Sequence, residues 1–216
     1  FFRPQFDSLG CNPHIMKPQQ IEIFGHQIHV GDFVHIISAA DNKVRLTTWR
    51  SKHLRGRLEI GDYCLISPGV HITAAMEIKI GNNCMIAANC YISDSDWHGI
   101  YNRTRPFRCS APVIFKDNVW LGHGVKVCKG VTIGENSVIG AAAVVTGDIP
   151  ANVVAAGNPA RIIKKIDPNR RMLKREIMFA DSKHYFDNQD KLDRFLLANN
   201  TLWGWLRSLL FPGKKD

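Results

Sequence analysis

With 216 residues, 45% of them hydrophobic, the chain can bury one sizeable core and carry an appendage. Its 28 Lys and Arg against 19 Asp and Glu leave a net charge of +9, which admits nucleic acid, anionic lipid, an acidic glycan or a phosphorylated cofactor as partner. No nucleic-acid-binding motif accompanies the charge, so no nucleic-acid partner is expected. No apolar run approaches the roughly 20 residues that a membrane span needs. The chain opens on Phe1 rather than Met, so residues can precede it, and no signal peptide is read in it. The six cysteines fit no zinc or redox spacing; Cys64, Cys84 and Cys90 stand where Ser, Ala or Val would serve equally. Buried thiols without a pairing scheme suit a reducing compartment, so a cytoplasmic location is expected.

Residues 1–20 are Pro-rich and irregular, and read as a cap over an open sheet end. Strands are predicted at Ile21–Phe24 and Ile28–Val30, and VGDFVHI follows as the first recognisable block. From Asp41 to Arg57 the pattern blurs and six basic residues (43, 45, 50, 52, 55, 57) face one acid, Asp41, which reads as a solvated edge in preference to an anionic-substrate surface. From Ile60 the chain falls into six-residue units: IGDYCL, ISPGVH, ITAAME, then IGNNCM and IAANCY, with about two extra residues near Met76–Lys79. SDSDWHGIYNRTRPFRCSAP, residues 93–112, breaks the pattern as an insertion. The units then resume as FKDNVW, LGHGVK, VCKGVT, IGENSV, IGAAAV and VTGDIP. Turn residues at Asp148–Pro150 and Gly157–Ala160 close the run.

An aliphatic or aromatic residue opens each unit, and a small or β-branched one stands five places in. A helix would scatter these positions round its circumference, and a simple alternation would not single out every sixth. Three short strands per turn of a solenoid explain them, the first position pointing inward and the fifth filling a tight corner. After Ile166 the six-residue rule is gone and the composition favours helix. In NTLWGWLRSLLFPGKKD, Leu202, Trp203, Leu206, Leu209 and Leu210 share one helical face, Pro212 ends it, and Lys214 and Lys215 follow. That face either packs on protein or lies on an anionic membrane as an interfacial helix, a peripheral contact through 201–216.

The repeat, together with AAGNPARII, resembles the left-handed β-helix acyltransferases, most nearly the maltose, galactoside and surface-polysaccharide O-acetyltransferases, over roughly Gly25 to Ile166. The resemblance implies an all-β left-handed parallel β-helix (hexapeptide-repeat solenoid) with an inserted active-site loop. The expected domains are 1–166, cap plus β-helix with the loop at 93–112, and 167–216, a helical C-terminal extension. It implies acetyl-CoA as acetyl donor, no metal, a homotrimer with sites between subunits, and a sugar or glycan acceptor. Acidic and lipid-linked glycans are both candidates; a lipid-linked one would place the enzyme at the cytoplasmic face of the inner membrane.

By the same resemblance His98, in DSDWHG, is the general base that takes the proton from the acceptor hydroxyl. A sugar hydroxyl is a poor nucleophile, and imidazole titrates near ~6.5. Asp96 and Asp94 stand beside it in sequence. Asp96 is the better candidate to orient the imidazole, and Asp94 could hold the acceptor or cap the turn. Asn89 is read as substrate contact or corner residue alike. Where the galactoside enzymes place a sugar-binding Asn, this chain has Gly69, with His71 nearby. The backbone amide of His123 would face the thioester carbonyl and Trp120 would flank the pantetheine arm, with Ala141, Thr146 and Gly147 along it. Arg161 and Lys164, with Lys165 beside them, would meet the coenzyme phosphates. Arg103, Arg105 and Arg108 would suit an acidic sugar. Within the same chemistry the acceptor could be an amine on a nucleotide-linked amino sugar. A metal-dependent γ-carbonic-anhydrase-like protein, which gathers three His on zinc, shares the solenoid. So does a non-catalytic scaffold, which would need neither His98 nor the coenzyme residues.

Overall fold

A computed structural model describes residues 5–51, 54–104 and 109–181, together with 184, 187, 190–191, 194–195 and 201–210. Two units separate in it, one through Arg175 and one from Glu176 onward. In the first, the chain winds through six coils of three short strands. The first coil is β1 (Ser8–Leu9), β2 (His14–Met16) and β3 (Ile21–Phe24). The second is β4 (Ile28–Val30), β5 (His35–Ile37) and β6 (Val44–Thr48). The third is β7 (Leu58–Ile60), β8 (Leu65–Ile66) and β9 (His71–Ala74). The fourth is β10 (Ile78–Ile80), β11 (Met85–Ile86) and β12 (Tyr91–Ser93). The fifth is β13 (Val113–Phe115), β14 (Trp120–Leu121) and β15 (Lys126–Val127). The sixth is β16 (Thr132–Ile133), β17 (Val138–Ile139) and β18 (Val144–Val145). β19 (Val153–Ala156) adds one more parallel rung, and β20 (Arg161–Lys165) folds back on it antiparallel.

Strands of equal rank stack in parallel register into three faces: face A from β1 to β16, face B from β2 to β20, and face C from β3 to β18. The six-residue rule is this geometry. First-position residues such as Ile60, Ile66, Ile80, Ile86, Leu121, Ile133 and Ile139 are buried, and so are the fifth-position Cys64, Val70, Cys84, Cys90, Val119, Val125 and Ala143. The thiols of Cys64, Cys84 and Cys90 donate to the carbonyls of Gly81, Lys116 and Gly122 on the next coil. Burial raises the Cys90 pKa to about 11 and pushes Cys64 up as well, so these thiols fill space and stay protonated. The fourth position sets the corner. Tyr63, Gly69, Asn83, Asn89, Asn118, Gly124, Gly130, Asn136 and Ala142 all have φ between 58° and 74°. Only Gly, and less readily Asn, takes that left-handed region at low cost, which is why those two types dominate there.

The corner between faces A and B carries its own ladder. Asp62, Asn82 and Asp117 each accept, through side-chain oxygen, the amide of Asp32, Asp62 and Asn82 one coil below. Higher up, Asn118, Asn136 and Asn152 pass a chain of amide bonds at 3.0 Å.

Three sequence expectations change. Residues 5–20, read as an irregular cap, hold β1 and β2 and are a full coil; Pro13 and Pro18 and strands of two or three residues hide the period. Asp41–Arg57 is not one solvated edge: Val44 and Leu46 point into the core from β6, and only the stretch beyond Thr48 leaves the coil. Residues 167–174 hold a turn and irregular chain rather than helix. They stay with the solenoid, since Met172 Sδ accepts from Asn118 Nδ2 and the Arg175 guanidinium donates to Tyr63 O at 2.7 Å. The first unit therefore runs past the boundary expected at Ile166. In the second unit, Arg175–Phe179 leads in as a 3₁₀ turn and helix α1 spans Leu202–Leu210. Leu202, Trp203 and Leu210 are exposed and Leu206 is half-buried; Pro212, Lys214 and Lys215 lie outside the described residues, as does the Leu209 side chain. Among the described residues no helix is long and apolar enough to cross a membrane.

Candidate active site

The corner from face B to face C is longer in the first two coils than in the rest, but the largest differences in coil length fall at the corner from face C to face A. Three departures from the repeat fall there: the stretch after β6, the extra residues at Ala75–Glu77 after β9, and the long insertion after β12. They are bonded to one another. Trp49 N–H donates to Ala74 O at 2.8 Å, and Arg55 N–H to Ala75 O at 3.2 Å. Asp94 then locks the insertion down: its two carboxylate oxygens accept the amides of Ala75 and Met76, both at 2.7 Å. Asp94 is fully buried, and burial raises its pKa against the lowering effect of those amides. This corrects its assignment to the acceptor: a carboxylate with no exposed surface and both oxygens committed cannot contact a sugar.

Beyond Asp94 the loop is pinned by Ser95, whose hydroxyl accepts from Trp97 N–H at 3.0 Å and from the Ser110 hydroxyl at 3.0 Å. Trp97 turns through φ 65°, and His98 follows it, exposed. Among the described residues no side chain hydrogen-bonds the His98 imidazole. Asp96 is committed elsewhere, in an ion pair with Lys129 from the same corner of the fifth coil. That pair, which sequence reading missed, ties the loop to the solenoid and replaces the expected Asp96–His98 pairing. Thr146 and Gly147 lie at this corner too, two coils beyond the insertion, both exposed; a Cβ on Gly147 would meet nothing within 4 Å. Arg103 is exposed, whereas Arg105 and Arg108 lie outside the described residues.

Asn89, His123 and Ala141 stand at the other edge of face C. Asn89 occupies a left-handed corner, and its Nδ2 lies 3.5 Å from His123 Nε2. His123 is exposed and its carbonyl accepts Ala142 N–H at 2.8 Å, which fixes that peptide plane. Ala141 is exposed on the coil above. Gly69 shares this corner, and a Cβ there would strike the side-chain oxygens of both Asn42 and Asn89. His71 lies between the two edges, on the outward row of face C. It is half-buried beside Arg45 and edge-on to Tyr91 at 5.2 Å, and burial, then Arg45, lowers its pKa.

On face B, register carries Trp120, Val138, Val154 and Lys164 along one outward row. Trp120 is 46% exposed. Arg161 pairs opposite Ala156 on that side, its Nη1 donating to Ala160 O, while Lys165 alternates to the other side of β20. The basic residues thus divide: Arg161 and Lys164 share the Trp120 side and Lys165 does not. Among the described residues no three His, Cys, Asp or Glu side chains could hold a metal ion together.

Coils of three parallel strands, with first and fifth positions inward and a left-handed fourth, define a hexapeptide-repeat β-helix. Residues 112–147 match the bacterial transferase hexapeptide model, and 77–94 match the hexapeptide repeat of succinyl-transferase. The galactoside O-acetyltransferase of Escherichia coli (strain K12) is 39% identical over 118 residues, 54% of this chain and 52% of its own length. The maltose O-acetyltransferase of Clostridium difficile 630 is 30% identical, with 77% of this chain and 73% of that one covered and a TM-score of 0.49. AntD, an N-acyltransferase from Bacillus cereus solved with dTDP and 3-hydroxybutyryl-CoA, shares the fold at a TM-score of 0.55 and 18% identity, over 87% and 94% of the chains. The chain spans about half the length of the curated relatives it matches. The chain thus carries hexapeptide transferase repeats and is similar to acyltransferases built from them, a galactoside O-acetyltransferase among them.

Proposed function

We propose that the chain transfers an acetyl group from acetyl-CoA to a sugar hydroxyl, on a surface polysaccharide or its precursor, with His98 as general base. The observation that carries this is His98 itself: exposed, held by a loop that Asp94, Ser95 and Asp96 fasten to the solenoid, and engaged by no described side chain. The imidazole takes the hydroxyl proton as the oxygen attacks the thioester carbonyl. The tetrahedral intermediate then collapses, the C–S bond breaks, and the imidazolium returns the proton to the leaving thiolate. The His123 backbone N–H is the donor suited to the intermediate's oxygen; it belongs to the Gly122–His123 peptide, whose carbonyl accepts from the Cys90 thiol. Arg161 and Lys164 suit the coenzyme phosphates and Trp120 its pantetheine arm. The 39% identity to a galactoside O-acetyltransferase supports oxygen over nitrogen as the attacking atom. Gly69 in place of the sugar-binding Asn argues against a free galactoside as acceptor.

His98→Ala is expected to bind acetyl-CoA nearly as the wild type does by calorimetry, while turnover falls by about 10²–10⁴-fold. Arg161→Ala with Lys164→Ala should raise the acetyl-CoA KM far more than it lowers saturated turnover, because distant phosphate contacts are equal in ground and transition states. A His98→Ala enzyme that keeps more than about a tenth of wild-type turnover would remove His98 from this role.

A further inference from the structure

Three aromatic rings from three different coils stand in a row at the corner between faces C and A, and the row ends one residue before His98. Phe24 closes β3, Trp49 follows β6, and Trp97 sits in the insertion after β12. Their centroids are 5.4 Å apart for Phe24–Trp49 and 5.6 Å for Trp49–Trp97. Rings of this size usually bury most of their surface, yet Phe24 is 58% and Trp49 43% exposed. The row is fixed in place. The Trp49 indole N–H donates to Thr73 Oγ1 at 3.2 Å, its carbonyl accepts Gly56 N–H at 2.9 Å, and Trp97 is held by Ser95.

Two guanidiniums stand at this corner, unpaired among the described residues. Arg50 and Arg55 bridge to each other through backbone beside Trp49, and both are exposed. Among the described residues neither guanidinium has a carboxylate within 4 Å. Of the acids at this corner, Asp94 is spent on backbone amides and Asp96 on Lys129, and Glu77 is half-buried.

We propose that Phe24, Trp49 and Trp97, with Arg50 and Arg55, form the acceptor platform, and that the acceptor is an extended anionic glycan. The inference deepens the acetyltransferase reading and rests on it for which end of the row is reactive. Aromatic faces stack on the C–H faces of pyranose rings while leaving hydroxyls free for polar partners, and guanidinium forks match sugar carboxylates. The tilts of 53° and 70° between neighbouring rings break the row into separate seats rather than one flat apolar sheet, which suits a chain of rings better than a lipid surface. Three seats exceed one pyranose, so the ligand is an oligomer whose terminal portion reaches His98. Because the rings are fixed before binding, little ordering cost remains to be met.

The test is an array of acidic and neutral bacterial oligosaccharides of increasing length, probed with the full chain and its variants. The wild type should retain acidic oligomers, more strongly as length grows, and neutral ones weakly. Trp49→Ala and Phe24→Ala should each weaken retention, Trp49→Ala by about tenfold or more, while Trp49→Phe keeps much of it. Arg50→Ala with Arg55→Ala should erase the preference for acidic over neutral chains. Thermal melts and light scattering on the same preparations guard the reading. The platform is overturned if the wild type retains no acidic oligomer, if folded Trp49→Ala and Phe24→Ala both bind as well as it does, or if losing a ring splits an assembly of copies instead. Calorimetry with acetyl-CoA reports on the donor side separately: coenzyme bound while glycans are ignored removes the platform alone, and no coenzyme bound removes the acetyltransferase reading.

Discussion

Replacing Asp94 by Asn keeps the side chain's outline but turns one of its two acceptors into a donor aimed at a backbone N–H. One of the Ala75 and Met76 amides would then be buried facing a like group, at a cost of about 1–3 kcal/mol. The expected result for Asp94→Asn is a lowered urea midpoint together with faster proteolysis within 94–112, because the bond that seats the insertion is weakened. Equal midpoints and equal cleavage would show that the loop is held by Ser95 and Asp96 without it. The residue illustrates where sequence reading stops. Asp94 and Asp96 are near-identical in local context, two residues apart and both close to His98. What separates them is the partner that folding brings, two amides 18 and 19 positions upstream for one and Lys129 for the other. Trp49 was invisible for the same reason: its ring neighbour Trp97 is 48 positions away, across two coils.

At the scale of the coil, most of the fold was legible because its constraints are local. An inward first position and a small fifth one recur every six residues whatever the rest of the chain does, so the register from Ile60 onward could be read directly. The fourth position was equally periodic but was overlooked, although its Asn and Gly preference announces a left-handed corner. The first coil and the stretch beyond Ile166 were misread because neither shows the period clearly. Corners also explain the departure at Gly69. Asn42 below and Asn89 above already fill the space that a side chain would take. Placing Asn there through Gly69→Asn should therefore destabilise the solenoid by about 1–3 kcal/mol, read as a denaturation midpoint, with Asn42→Gly recovering part of the loss. A neutral Gly69→Asn would mean that the corner can open, and that the acceptor side is closer to the galactoside pattern than its packing suggests.

For the molecule as a whole, the expected site residues divide between the two edges of face C, each edge holding some of the coenzyme groups and some of the acceptor groups. His98, Thr146 and Gly147 lie at one edge, and Asn89, His123 and Ala141 at the other, about 13 Å away by strand rise over Asn89–Ser93. A second copy that sets its edge against the first would bring the two halves together, which supports the trimer that the family likeness implies. Light scattering at micromolar concentration should give three times the chain mass. A monomer with intact turnover would instead require one chain to complete the site alone.

The longest excursions of the coil fall at one corner. The A–B corner is threaded by side-chain ladders from Asp32 to Asn152, so an added residue there would break several rungs at once, whereas the B–C corner is lengthened in the first two coils alone and is crowded by Asn42 and Asn89 around Gly69. The remaining corner has already absorbed a short, a medium and a long excursion within three successive turns. The C–A corner is thus the permissive seam of the later coils, where a loop can grow without disturbing the side-chain ladders of the A–B corner.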